Sequence, residues 1–164
     1  MIKLDLGCGK RKLEGCVGID RKQLNGVDIA MNLDGEDIRL PYEDGAVDEV
    51  RAFHLFEHIV NFIPLMNEIY RVLKSGGRLI LEVPIAGTYA IDGTFIFGAG
   101  AFRDPTHVRY FLPETFYYFT NGYMGNADYD ISAKFSLDKA RIYIDKREGH
   151  MDGVNMGMEM VAEK

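Results

Sequence analysis

A chain of 164 residues, 47% hydrophobic and 27% charged, has the size and mix of one soluble domain with a sizeable core, which excludes a fibrous or low-complexity class. Its formal net charge of −6 argues against a nucleic-acid backbone as the main partner, because phosphate binding needs clustered Lys and Arg. Two cysteines make neither a disulfide framework nor a zinc set, no basic-then-apolar leader opens the chain, and no apolar run reaches about 18 residues, so a cytoplasmic protein with reduced thiols and no membrane span is expected.

Ile2 to Leu6 reads as a buried strand, Val17 to Ile19 as a second, and Val27 to Met31 as a third. "YEDGAVDEV" turns through Asp44-Gly45, and Val47 to Phe53 forms a fourth strand. The stretch "HLFEHIVNFIPLMNEIYRVLKSGG" has helical character. Pro64 suits a first turn, Leu65, Ile69, Val72 and Leu73 share one face, and Gly76-Gly77 supply a stop. "RLILEVP" is a further strand ending at Pro84. Strands alternating with a helix predict an α/β fold with a mainly parallel sheet. From Ile85 to Gly125 the chain is rich in Gly and aromatics, and "PETFYYFTNG" is its one clear short helix. The tail segments "YDISAKFSL", "ARIYIDKRE" and "GMEMVAEK" read as antiparallel strands, the first two joined as a hairpin through Asp138-Lys139. One domain over residues 1–164 is expected, with 85–125 as lid and substrate wall.

The chemistry concentrates in "LDLGCGKRKLEGCVGID", Leu4 to Asp20. A strand followed by Gly-Cys-Gly lets a ligand approach the backbone closely. Asp20, at the end of the next strand, is placed to accept hydrogen bonds from ribose hydroxyls. The spacing disfavours a dinucleotide: Lys12 stands where a third glycine belongs, and Asp20 follows Gly9 by only about half the usual 20 residues. No P-loop pattern occurs. Lys10, Arg11 and Lys12 read as a solvated charged turn rather than a phosphate cradle. The stretch from Lys10 to Cys16 holds at most a turn or two of helix, whereas a parallel crossover normally takes a dozen residues or more. The aromatic segment after Pro84 is the expected cover for the sheet face this leaves open.

"LDLGCG" resembles motif I of class I S-adenosylmethionine (SAM) dependent methyltransferases, and "VGID" resembles the acidic motif that follows it. "LPYEDGAVDEVRAFHLFEHI" is similar to the fourth-strand segment of that family, and "NEIYRVLKSGGRLILEVP" to its helix and fifth strand. "FRDPTHVRYFLPETFYYF" resembles a block in compact members with a shortened first crossover. The resemblance covers about Ile2 to Pro84 and implies a Rossmann-like methyltransferase fold, with SAM at the C-terminal ends of the first four strands. It implies that Asp5 helps hold the methionine part, that Gly7, Cys8 and Gly9 give backbone contact, and that Asp20 takes the ribose. Asn32, Leu33 and Asp34 fall where the family contacts adenine, and His54 faces the methionine end.

Methyl transfer from an activated sulfonium needs mainly alignment, plus a base for a hydroxyl or amine acceptor. His107 in "DPTHVR" is the candidate base, with Asp104 as its orienter and Arg109 as a binder of an anionic substrate group. His54, Glu57 and His58 have helix-like spacing. The zinc pattern H-E-x-x-H needs its glutamate beside the first histidine, so no metal is expected. A small-molecule, sugar or metabolite acceptor fits best: no Pro-Pro-aromatic block follows strand four, no Pro-Cys nucleophile exists, and no target-recognition domain is visible. The alternatives are a non-catalytic SAM- or partner-binding module, or a SAM-consuming lyase or hydrolase on the same fold. The apolar cluster Phe111 to Phe119 also suits a homo-oligomer contact.

Overall fold

The computed structural model describes residues 1–120, 126–145 and 153–164. Strands β1 (Lys3–Leu6), β2 (Val17–Asp20), β3 (Ile29–Ala30), β4 (Val47–Phe53), β5 (Leu73–Pro84), β8 (Phe135–Asp145) and β9 (Gly153–Ala162) form one sheet in the order β3-β2-β1-β4-β5-β9-β8. The first five are parallel, β9 runs antiparallel to β5, and β8 antiparallel to β9. The fold is thus α/β with a mostly parallel sheet and an antiparallel end. The order reverses at β1, whose neighbours are β2 and β4, and an open α/β sheet places its ligand crevice at such a point.

One sheet face is apolar. Leu4, Leu6, Val50, Ala52, Leu79, Leu81 and Val83 alternate along β1, β4 and β5 and are all buried. Helix α1 (Phe62–Val72) packs here through Phe62, Leu65, Met66, Ile69 and Val72. Asp34 Oδ1 fixes the start of α1 by accepting from the Asn61 N–H at 2.8 Å and from its Nδ2 at 3.1 Å. Near the helix end, Arg71 donates to Glu68 Oε1 at 2.6 Å and to Asp44 at 2.7 Å, which pins the loop before β4. Met156, Met158 and Met160 of β9 continue the apolar face at a period of two.

The other face is charged. Lys3, Glu49 and Arg51 cross-link β1 and β4, while Arg78, Glu82, Lys139, Arg141 and Glu159 do the same across β5, β9 and β8. The aromatic segment does not cover this face, contrary to expectation. Phe111, Phe116 and Phe119 pack edge-on or stacked around Phe62 and belong to the α1 side. That placement buries these three rings in the chain's own core, while Leu112 and Tyr117 of the same segment stay exposed.

Several boundaries differ from the sequence reading. α1 ends at Val72 without glycine, the Leu73 N–H still reaching Ile69, and Gly76 (φ +75°) instead lies inside β5, where the register against β4 shifts between Leu73 and Arg78. The third strand shortens to Ile29–Ala30. Asp138-Lys139 is no hairpin turn: β8 runs straight through it, with a register shift against β9 that marks a bulge. Of the expected strand at "YDISAKFSL", Tyr129 ends a 3-10 turn (Asn126–Tyr129), Asp130 to Lys134 are irregular, and β8 begins only at Phe135. The short helix at "PETFYYF" forms as a 3-10 turn, and its expected stop at Gly122 lies outside the described residues. A hairpin of β6 (Gly87–Tyr89) and β7 (Phe95–Phe97) was not foreseen, although Asp92-Gly93 is the turn signal for it, with Gly93 at φ +83°. Among the described residues no helix is long and apolar enough to cross a membrane.

Candidate cofactor and active site

β1 stops at Leu6 because the chain turns through Gly7 (φ +69°) and Gly9 (φ +53°), a conformation side chains resist. The Gly7 N–H donates to Ile19 O at 2.8 Å. A Cβ at Gly7 would stand 2.9 Å from the Leu55 side chain, so the residue after β4 closes one wall of the loop. Asp20 ties the loop to the end of β2: its Oδ2 accepts from the Gly9 N–H at 3.0 Å and its Oδ1 from the Lys22 N–H at 3.0 Å. A carboxylate offers further lone pairs, so ribose hydroxyls can share it.

The missing crossover helix is replaced by the loop itself, folded over β1 and β2 on the charged side. The buried Asp5 carboxylate accepts from the Leu13 N–H at 2.8 Å, and burial raises its pKa against that bond. Asp5 therefore sits beneath the loop as its anchor. Lys12 lies across Gly18, where a Cβ would come within 2.7 Å of its side chain and 2.8 Å of Cys8 Sγ. The Lys12 ammonium then reaches Asp28 Oδ2 at 2.7 Å, the same oxygen that takes the Gly18 N–H at 2.7 Å. Of the basic cluster, Lys12 is thus a structural pin. Burial, with Asp5 and Asp20 nearby, pushes the Cys8 thiol up to about 11, so it stays a neutral space-filler.

Asn32 and Asp34 bond to each other across the turn after β3, and Leu33 is buried between them. His54 adopts φ +51° beyond β4, and its ring lies between Glu57 Oε1 at 3.3 Å and Glu82 Oε1 at 3.1 Å. The hydrogen bond to Glu57 holds this imidazole above its ordinary pKa, against the effect of burial.

The "DPTHVR" block is docked onto the turn after β4. The Val108 and Arg109 N–H groups both donate to Glu57 O. His107 Nδ1 donates to Ala101 O at 2.7 Å, which leaves Nε2 with the lone pair. Asp104 lies 3.9 Å from that Nε2, too far for a hydrogen bond, and is bound to Thr106 Oγ1 at 2.6 Å, the main cause of its lowered pKa. Arg109 donates to Val60 O at 2.9 Å and stacks on Phe62, and burial lowers its pKa. Asp104 is therefore not the expected orienter of His107: it holds Thr106, while Arg109 turns to the Ile59 and Val60 carbonyls, whereas Gly7 and Gly9 do meet the end of β2 at Ile19 and Asp20. Sequence reasoning missed Leu55, Gly18 and Asp28, which shape the loop. Gly18 inside a short apolar strand was the available signal for close approach by another segment.

Residues 4–81 match the protein family described as "Methyltransferase domain". The chain carries the class I methyltransferase fold. The demethylmenaquinone methyltransferase of Thermus thermophilus is 40% identical over 53 residues, 32% of this chain and 24% of that protein. YcgJ of Bacillus subtilis, described as an uncharacterised methyltransferase, is 26% identical over 125 residues, 65% of this chain and 49% of that one. The crystal structure of YcgJ superposes with a TM-score of 0.63 at 13% identity, covering 99% of this chain and 92% of that one. A SAM-dependent methyltransferase of Methanosarcina mazei superposes with a TM-score of 0.63 at 14% identity, covering 98% and 92%. The chain thus spans half or less of the length of these two curated relatives. At the strand ends the Asp20 carboxylate lies beside Gly9, where an added Cβ would meet nothing within 4 Å.

Proposed function

We propose that this chain binds SAM at the Gly7–Gly9 turn and transfers its methyl group to the oxygen or nitrogen of a small molecule. The observation that carries the reading is Asp20, whose carboxylate lies beside Gly9, where an added Cβ would meet only open space. Asp20 takes the ribose hydroxyls, Asn32 to Asp34 border the adenine, and His54 closes the methionine end. Asp5 acts through Leu13, as the post that keeps the loop in place.

In the reaction the acceptor's lone pair forms a bond to the methyl carbon. The carbon–sulfur bond breaks and its electron pair stays on sulfur, giving S-adenosylhomocysteine. The acceptor's proton leaves to a base. His107 Nε2 serves as that base, because the bond from Nδ1 to Ala101 O fixes the tautomer with its lone pair on Nε2. Arg109 keeps N–H donors beyond those it gives to carbonyls, and these suit an anionic group on the acceptor. The net charge of −6 favours a small metabolite over a nucleic acid.

Calorimetry with SAM and S-adenosylhomocysteine tests the cofactor. Asp20→Ala is expected to weaken both about ten- to a hundredfold in a folded protein, the worth of hydrogen bonds to a charged group. Unchanged affinity removes the reading. A metabolite screen for S-adenosylhomocysteine release then tests the reaction. His107→Ala is expected to spare SAM affinity and to lower turnover by roughly 10²–10⁴-fold. SAM binding with no turnover on any acceptor assigns the chain to the non-catalytic alternative.

A further inference from the structure

Glu57, His58 and His107 offer one ligand atom each, and these atoms all lie within 4.8 Å of one another. Glu57 and His58 sit in the 3-10 turn after β4 (Phe56–His58), and His107 arrives from the segment docked against it. We propose that these three side chains bind a divalent first-row transition-metal ion of the zinc(II) class.

Three observations carry this. The first is an orphaned atom. Glu57 is only 1% exposed; its Oε1 takes His54, while its buried Oε2 finds no hydrogen-bond partner among the described residues. A buried carboxylate oxygen without a partner is costly, and a bound ion satisfies it. The second is the state of the imidazoles. His107 Nδ1 is bound to Ala101 O, and His58 Nδ1 to Thr106 O at 3.2 Å and Thr106 Oγ1 at 3.1 Å. Metal-binding histidines characteristically give their second nitrogen to a carbonyl or carboxylate, which fixes ring and tautomer. The Asp104 carboxylate holds Thr106 in turn. The third is the donor set itself, two imidazoles and one carboxylate, which suits zinc(II) with a coordination position left open. Bonds of about 2.0–2.2 Å to an ion would draw the ligand atoms in by about an ångström. With an ion bound, His107 is a ligand rather than a free base. An acceptor oxygen at the open position then loses its proton more readily. That role rests on the methyl-transfer reading; the site itself does not.

The test uses tag-free, chelator-treated protein titrated with zinc(II) by calorimetry and with cobalt(II) by visible absorption. Wild type is expected to take up one equivalent, with ligand-field bands and no thiolate charge-transfer band. His107→Ala and His58→Ala are expected to lose affinity by at least about a hundredfold, and Asp104→Asn, which removes the charge from the acceptor that holds Thr106, by about tenfold. Circular dichroism checks each variant's fold, and the exposed Asp104→Asn gives a second measure if a histidine variant does not fold. No uptake by wild type, uptake unchanged in all three variants, or a thiolate band overturns the proposal. SAM titrations on the same samples separate it from the cofactor reading: SAM binding without metal uptake refutes only the metal, and metal uptake without SAM binding refutes only the cofactor.

Discussion

The two faces of the sheet are built from the same strands and live under different rules. On the α1 side, fully buried side chains interlock and Phe62 sits at the centre of three aromatic contacts from the later segment, Phe111, Phe116 and Phe119. On the other side, cross-strand ion pairs lie partly in water, and the loop from Lys10 to Cys16 covers β1 and β2. A dense apolar face carries stability, whereas a solvated charge lattice adds little and mainly keeps the surface from sticking. Strands of one alternating pattern can thus bury one face and leave the other to ion pairs.

The largest expected effect is on the apolar face. Phe62→Ala should cost about 3–5 kcal/mol in urea unfolding, since it opens a cavity among rings that cannot collapse into it. Next comes the covered strip of the charged face. Gly18→Val should displace Lys12 and Cys8 and cost about 1–3 kcal/mol, with a matching loss of SAM affinity in calorimetry, because the loop can no longer lie on β2. On the uncovered part, Glu159→Gln should change stability by no more than about 1 kcal/mol, despite its pairs with Arg78 at 2.6 Å and Lys139 at 3.1 Å. A loss as large as that of Phe62→Ala would erase the distinction between the faces.

The smallest effect concerns pH. The Lys12 bond, aided by the Gly18 N–H, holds Asp28 below the usual carboxylate value of 3.8. A lowered native pKa gives stability that is present above the unfolded value and lost as pH falls through the native one. Acid melts below about pH 4 should therefore show a slightly shallower loss for Asp28→Asn than for wild type.

Much of this contrast was legible. The alternation in "RLILEVP" and "VDEVRAF" puts apolar residues on one side and charge on the other, and the strand–helix alternation gave the parallel sheet. The glycine turn and Asp20 were legible because a positive φ and a strand-end acid leave local marks. What the sequence hid was non-local. Nothing near Asp5 says that its carboxylate accepts from the Leu13 N–H. Nothing near Glu57 says that His107, from a segment far along the chain, closes on it. The bulge at Asp138 was mistaken for a turn because its polar pair looks the same in both; only pairing with β9 tells them apart.

The place of β9 has a consequence in time. Chains emerge from the ribosome at about 5–20 residues per second, and early segments begin to fold first. β5 is complete at Pro84, yet the strand that pairs with its edge begins only at Gly153, and β8 pairs in turn with β9. The nascent sheet therefore waits with a long, apolar edge open, and β8, already made, has nowhere to dock. That edge closes only when β9 pairs with β5 and buries Met156, Met158 and Met160.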